Sequence, residues 1–214
     1  MLTVGFDTAE PIGGASLYEE GVLAEERLMD APLRHAETLI PLVDQLLRDS
    51  ARNRREIERV SVNCGPGSFT GLRIGLATAK GLCQALGAAL IPVDGTIAYR
   101  SRLPGERRVC VVVRSRRNLL YVRWFAGAKP REPIRLMREE DLIGQLREES
   151  RELILVGSGA RDVYEQIAGH ALVRIAPEDL LRPSALTIAR IGANDKEGGR
   201  LYEAEPLYVE PILA

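Results

Sequence analysis

What the 214-residue chain lacks narrows its chemistry first. Histidine occurs only at His35 and His170, and the three cysteines, Cys64, Cys83 and Cys110, are scattered and odd in number. Neither set stands at metal-ligand spacing, so a disulfide framework, a metal knuckle and a His-based zinc or iron site find no support, and buried free thiols are expected. Acidic and basic residues nearly cancel, 30 against 29 for a net charge of -1. A chain built to wrap nucleic acid by bulk charge is thereby disfavoured; only a local basic patch could serve. Lysine is confined to Lys80, Lys129 and Lys196 against abundant arginine, which reads as compositional bias. No run of about 18 apolar residues is present to span a membrane. The opening MLTVGFDTAE lacks a basic n-region and reads as a strand, so no signal peptide and a cytoplasmic location are expected.

What is present is an ordinary globular composition, 45% apolar and 28% charged. The length exceeds the single-domain prior of roughly 150 residues, so two small domains or one large one are open. Leu2 to Phe6 reads as a strand, and GASLYEEGVLAEERLM as two more turning over Glu19 to Gly21, together an antiparallel meander. Apolar residues at Ala36, Leu39, Ile40, Val43, Leu46 and Leu47 predict a helix, started by Asp30 and Pro32 and kinked or begun near Pro41. The strand RVSVN, a Gly-rich turn, a second helix and the strand Ala88 to Val93 follow. Meander, helix, strand, helix, strand implies an α/β domain with a mixed sheet. After the polar SRLPGERR connection, the best boundary, the theme repeats without repeating the sequence. Strands are predicted at Val109 to Val113, Leu119 to Phe125, ELILV and ALVRI, with helices at Glu139 to Ser150, Arg161 to Ala168 and Ser184 to Ala193.

The stretch NCGPGSFTGLRIGLATAKGLCQALG, Asn63 to Gly87, raises the central question. A glycine-rich turn entering a helix offers backbone N–H groups to a phosphate, yet this one matches neither G-x-x-x-x-G-K-[ST] nor G-x-G-x-x-G. Within the helix Gly71, Gly75 and Ala79 recur every four residues beside Thr78. Such a stripe lets a second helix approach closely, or lets this helix pack tightly on its own sheet; spacing alone favours neither. Ser68 lies in G-S-F-T-G, not in a G-x-S-x-G elbow, so a hydrolase triad has little support. His35 is expected to pack or hydrogen-bond. Asp7 and Thr8 follow the first strand, where ATP-binding proteins of the actin-like class place a phosphate loop; the alternative is a turn-forming aspartate. The basic run RSRRN, Arg114 to Asn118, reads as a solvated hairpin tip, with contact to RNA phosphates as the lesser reading.

CGPGSFTGLRIGLATAKGL after a strand, F-D-T after the first strand and R-H-A-E-T-L-I-P-L-V at the first helix together resemble the TsaB (YeaZ) family of tRNA threonylcarbamoyladenosine biosynthesis proteins. The likeness is good over the first hundred residues. Beyond Arg100 it is looser, carried by VVVRSRRNLLYV, by GSGA (Gly157 to Ala160) and by PSA (Pro183 to Ala185). The family often has Asp-Ala-Arg where this chain has Arg114, Ser115 and Arg116, and Tyr-Leu-Arg where it has Tyr208, Val209 and Glu210.

The resemblance implies an α/β actin-like ATPase (ASKHA) fold with two small mixed-sheet domains, residues 1–100 and a reduced 101–214. It implies a non-catalytic paralogue of TsaD, whose His-x3-His pair falls here on Gly95 and Tyr99, neither of them a metal ligand. Such a chain is a scaffold without catalytic, cofactor or metal residues that docks TsaD through its first two helices. The partner-binding residues so implied are His35, Leu39, Leu42, Val43 and Leu46 on the first helix. On the second they are Phe69, Thr70, Gly71, Ile74, Gly75, Thr78, Ala79 and Leu82. A TsaE-type ATPase is then met through the complex, tRNA only indirectly, no membrane at all, and the isolated chain forms a homodimer. The alternatives are a self-standing actin-fold ATPase or kinase, or a glycoprotease-like peptidase; missing metal ligands oppose the peptidase, and the Gly turn lacks the lysine and acidic residues of phosphoryl transfer.

Overall fold

The computed structural model describes residues 1–29, 34–196, 198, 201 and 203–209; the helix start expected at Asp30 and Pro32, and Glu210, lie outside them. Alternation of apolar side chains drives the first sheet. Strands β1 (Leu2–Asp7), β2 (Gly14–Glu19) and β3 (Leu23–Leu28) form the antiparallel meander. After helix α1 (His35–Asp49), strand β4 (Ile57–Asn63) returns parallel to β1. Helix α2 (Phe69–Leu86) then leads to β5 (Ala89–Val93), parallel to β4, and the sheet order is β3-β2-β1-β4-β5. Ser68 caps α2, its side chain accepting from the Gly71 N–H at 3.2 Å, and Gly87 ends it in the left-handed region at φ 70°.

Along β1 successive side chains point to opposite faces. Leu2, Val4 and Phe6 enter a core with Leu39, Val43 and Leu46 of α1 and Leu76, Ala79 and Cys83 of α2. The opposite face of the sheet is small and polar, carrying Thr3, Gly5, Ser16 and Ser61.

The second unit is built alike. Helix α3 (Gly95–Ser101), which the sequence reading did not foresee and whose residues divide between the two units after Ala98, is followed by β6 (Arg108–Arg114) and β7 (Leu119–Ala126), antiparallel. Next come β8 (Lys129–Pro130) and β9 (Arg135–Arg138), both on β7, then α4 (Glu139–Arg147), β10 (Leu153–Val156), α5 (Ala160–Gln166) and β11 (Val173–Ile175). β10 runs parallel to β6 and β11 parallel to β10, so the order is β11-β10-β6-β7-β8. In both units a first strand pairs antiparallel with its hairpin neighbour and parallel with a strand reached through a helix.

Helix α6 (Ala185–Ala193) corrects the expected second domain of 101–214. The compact units are 1–98 with 184–207, and 99–183 with Tyr208 and Val209 of the described residues. α6 packs on β1, β2 and β4 of the first sheet. Its small stripe explains this: a Cβ on Gly5 would strike Ala189 Cβ at 2.8 Å, and one on Gly192 would meet Ser61 Cβ at 2.7 Å. Only a helix of small residues approaches a sheet that closely, and without it the Thr3, Gly5, Ser16 and Ser61 face would lie open. The SRLPGERR connection is likewise anchored: the buried Arg100 guanidinium donates to the carbonyls of Gly127 (2.6 Å), Leu103 and Glu106 (2.9 Å). Among the described residues no helix is long and apolar enough to cross a membrane.

Candidate functional site

The glycine turn closes on its own chain. The Ser68 N–H donates to the Ala9 carbonyl at 2.7 Å, and a Cβ on Gly67 would stand 2.7 Å from Ala9 Cβ. The Gly65 N–H donates to Asn63 Oδ1 at 2.8 Å, and the Gly65 carbonyl accepts from the Gly95 N–H at 2.8 Å. A phosphate cradle presents free N–H groups to a ligand. Here the turn serves close approach between β1, β4 and α2.

Asp7 ends β1 beneath that turn. Its Oδ2 accepts from Asn63 Nδ2 at 2.9 Å and its Oδ1 from the Ala9 N–H at 3.1 Å. Burial raises its pKa from 3.8 to about 6, a rise that these two hydrogen bonds oppose. The folded chain therefore holds this proton more tightly than the unfolded chain. Its stabilisation is complete below about pH 3.8 and is lost as pH rises towards 6, about 3 kcal/mol in all. We predict that the stability of the native chain relative to Asp7→Asn falls by about 2 kcal/mol between pH 4.5 and 7.5 in urea unfolding. A difference independent of pH over that window refutes this reading of Asp7.

The stripe of Gly71, Gly75 and Ala79 faces inward, which corrects its assignment as a contact surface. A Cβ on Gly71 would fall inside 3.0 Å of the Thr8 carbonyl, one on Gly75 inside 3.0 Å of Thr8 Oγ1, and Ala79 is fully buried. Thr8 Oγ1 donates to the Gly71 carbonyl at 2.8 Å, pinning α2 to the end of β1. Four further expected partner residues are corrected for the same reason, since each fills this chain's own core. Leu39, Val43 and Leu46 are buried in the first-unit cluster. His35 is buried with Nδ1 3.0 Å from Met29 Sδ, and burial lowers its pKa, an effect that Glu10 partly opposes.

The outward face of α2 lies two positions around. Ala77, Gly81 and Ala85 repeat the same four-residue spacing about 200° away, and all three are exposed; a Cβ on Gly81 would meet nothing within 4 Å. Phe69, 53% exposed beneath the Arg73 guanidinium, and the exposed Thr70 open this face. Ile74, Thr78 and Leu82 flank it half-buried. On α1, the neighbour of α2, Ile40 and Pro41 are exposed and Leu42 is half-buried. Of the expected partner residues the structure thus leaves Leu42, Phe69, Thr70, Ile74, Thr78 and Leu82 accessible. Sequence reasoning missed Ile40, Ala77, Gly81 and Ala85. The signal was there, a second small-residue stripe, but spacing does not tell which of two stripes is buried.

The remaining chemistry is sparse. Cys64, Cys83 and Cys110 are free and buried, and burial pushes the first two thiols up to about 11. Among the described residues no three His, Cys, Asp or Glu side chains converge to hold a metal ion. Gly95 opens α3 with its Cα against Asn63, where a Cβ would stand 2.7 Å from Oδ1, and Tyr99 is buried.

Two units that repeat one mixed-sheet topology, with α6 returning to the first, define an α/β protein of the actin-like ATPase fold. The ethanolamine utilization protein EutJ of Carboxydothermus hydrogenoformans shares this fold at TM-score 0.61 and 13% identity, over 90% of each chain. YeaZ of Pseudomonas aeruginosa superposes at TM-score 0.78 with 22% identity, over 97% of this chain and 99% of that one. The family model of TsaD, tRNA N6-adenosine threonylcarbamoyltransferase, matches residues 29–126. An uncharacterized protein of Mycobacterium tuberculosis is 35% identical over 129 residues, 59% of this chain and 60% of that protein. The chain thus matches about three-fifths of that relative's length. The tRNA threonylcarbamoyladenosine biosynthesis protein TsaB of Escherichia coli is 26% identical over 230 residues, 100% of this chain and 96% of that one. Over nearly its whole length the chain is thus similar to TsaB (YeaZ) proteins.

Proposed function

We propose that this chain takes part in threonylcarbamoyladenosine biosynthesis on tRNA as a non-catalytic scaffold that binds a TsaD-type partner through the outward face of α1 and α2. The observation that carries the docking site is the exposure of Ala77, Gly81 and Ala85, a groove of minimal side chains flanked by Ile74 and Leu82. Helices approach closely where side chains are small, and the exposed Phe69 at the start of this face adds an apolar contact, with Arg73 and Gln84 supplying polar ones. The role in the modification rests on the full-length likeness to TsaB proteins. In this reading a TsaE-type ATPase joins through the complex, tRNA is held by the assembly, and the isolated chain pairs with itself over the same face. The complex works in the cytoplasm.

A self-standing ATPase, kinase or peptidase has less support. Asp7 is occupied by Asn63 and Ala9, and the glycine turn by Ala9 and Asn63. Gly95 and Tyr99 stand where TsaD-like chemistry would need histidines. Co-expression with the TsaD-type protein of the same genome tests the proposal: a stable complex eluting together in gel filtration is expected. Separate elution of two folded proteins overturns it.

A further inference from the structure

The second unit carries a cleft of about 1060 Å³ that the docking face does not use. Four arginines line it against two glutamates: Arg116 and Arg117 from the β6–β7 connection, Arg138 from the end of β9 and Arg147 from the end of α4 face Glu139 and Glu140. The chain as a whole has a net charge of -1, so this is a local concentration of positive charge.

Both carboxylates are already engaged. Glu139 accepts from Gln166 Nε2 at 2.5 Å and from Arg114 Nη1 at 3.4 Å, and Glu140 from Arg138 Nη1 at 3.2 Å. Arg147 donates to the Gln166 carbonyl at 3.3 Å. Arg116 and Arg117 are exposed and carry no ion pair among the described residues.

The tip that holds those two arginines is built, not frayed. The Ser115 N–H donates to the Leu119 carbonyl at 3.0 Å and the Leu119 N–H to the Arg116 carbonyl at 3.1 Å. The Glu139 N–H donates to the Asn118 carbonyl at 2.9 Å, tying the tip to the start of α4. Arg117 holds a left-handed backbone at φ 51°, a conformation that a long side chain adopts only where its surroundings impose it.

We propose that this cleft binds the sugar–phosphate backbone of transfer RNA directly. Guanidinium groups pair bidentately with phosphate oxygens, and two adjacent unpaired ones on a fixed tip suit successive phosphates. The volume stands at the upper end for a small-molecule pocket, and only Leu119 and Ile143 supply apolar lining, so a compact ligand would be poorly enclosed. A backbone laid across it keeps most of its surface in water and reads no sequence here. The choice of transfer RNA rests on the proposed role in its modification; the charge and geometry stand apart from that role.

The test is fluorescence anisotropy of the purified chain with an unmodified transfer RNA transcript at low salt. Salt-dependent binding is expected. Arg116→Gln with Arg117→Asn, asparagine being tolerant of the left-handed backbone, should weaken it about tenfold or more and reduce the salt slope by about 2. The control pair Arg107→Gln and Arg131→Gln, at the opposite end of β6 and β7, should change affinity less than about twofold. Equal losses in both pairs, unchanged affinity in the first, or no binding by the native chain overturns the proposal. Both pairs are also tested for co-elution with the TsaD-type partner. RNA binding through the cleft without co-elution refutes the scaffold alone, whereas co-elution with unchanged RNA affinity refutes the cleft alone.

Discussion

Gly75→Leu should unfold the chain at markedly lower temperature. A Cβ at Gly75 already falls inside 3.0 Å of Thr8 Oγ1, and a leucine adds three more carbons in the same direction. Thr8 is fully buried and β-branched, and its Oγ1 is committed to the Gly71 carbonyl at 2.8 Å, so it has no rotamer to yield into without losing that bond. Overpacking costs about 1–3 kcal/mol and sometimes more, and the lost hydrogen bond about 1 kcal/mol. Against this, leucine is the better helix former by about 0.8–1 kcal/mol. The net loss is therefore about 1–3 kcal/mol, or roughly 2–12 °C in melting temperature for a chain of this size. A melt unchanged from the native chain would mean that α2 does not sit on Thr8.

Gly81→Arg should do the opposite on both counts. The position is open, so the substitution meets no atom of its own chain and gains about 0.8 kcal/mol of helix propensity. The melting temperature should hold or rise slightly. In the complex, however, a long charged side chain would stand where two backbones come together, and its desolvation without a partner costs several kcal/mol. Binding of the TsaD-type protein should fall by about a hundredfold or more, read by isothermal titration or gel filtration. Full affinity in a stable Gly81→Arg chain moves the contact off this face of α2. The two glycines, six residues apart, thus separate fold from docking: one variant loses stability, the other loses only its partner.

Much of the architecture was legible because it depends on local periodicity. The meander, α1, β4, α2 and β5 follow from alternation and from the 3.6-residue repeat, and the fold class follows from their order. Short elements escaped. β8 and β9 are two and four residues long, too short for a period to show, and α3 begins at a glycine and carries Thr96 and Tyr99 among its few apolar residues. The place of α6 escaped for a different reason. Its stripe of Ala185, Ile188, Ala189 and Gly192 announces a buried helix but says nothing of which sheet receives it. The receiving face, Gly5 with Thr3, Ser16 and Ser61, looked weakly polar in sequence because the side chains that would betray a core are absent where a helix comes close.

The candidate site divides along the same line. By itself the sequence determined that histidine and cysteine stand at no metal-ligand spacing, that charge is balanced overall, that α2 is lined with small residues, and that a basic run falls at Arg114 to Asn118. Those are properties of composition and spacing, which need no third dimension. Only the tertiary structure decided that Gly71, Gly75 and Ala79 turn towards Thr8 while Ala77, Gly81 and Ala85 turn away. A helix with two equivalent stripes is symmetric in spacing, and the symmetry is broken only by where the sheet lies. It likewise took the fold to gather Arg116, Arg117, Arg138 and Arg147 around one cleft, because residues separated by a strand, a helix and a turn acquire a common charge only when long-range pairing of β6, β7 and β9 brings them together.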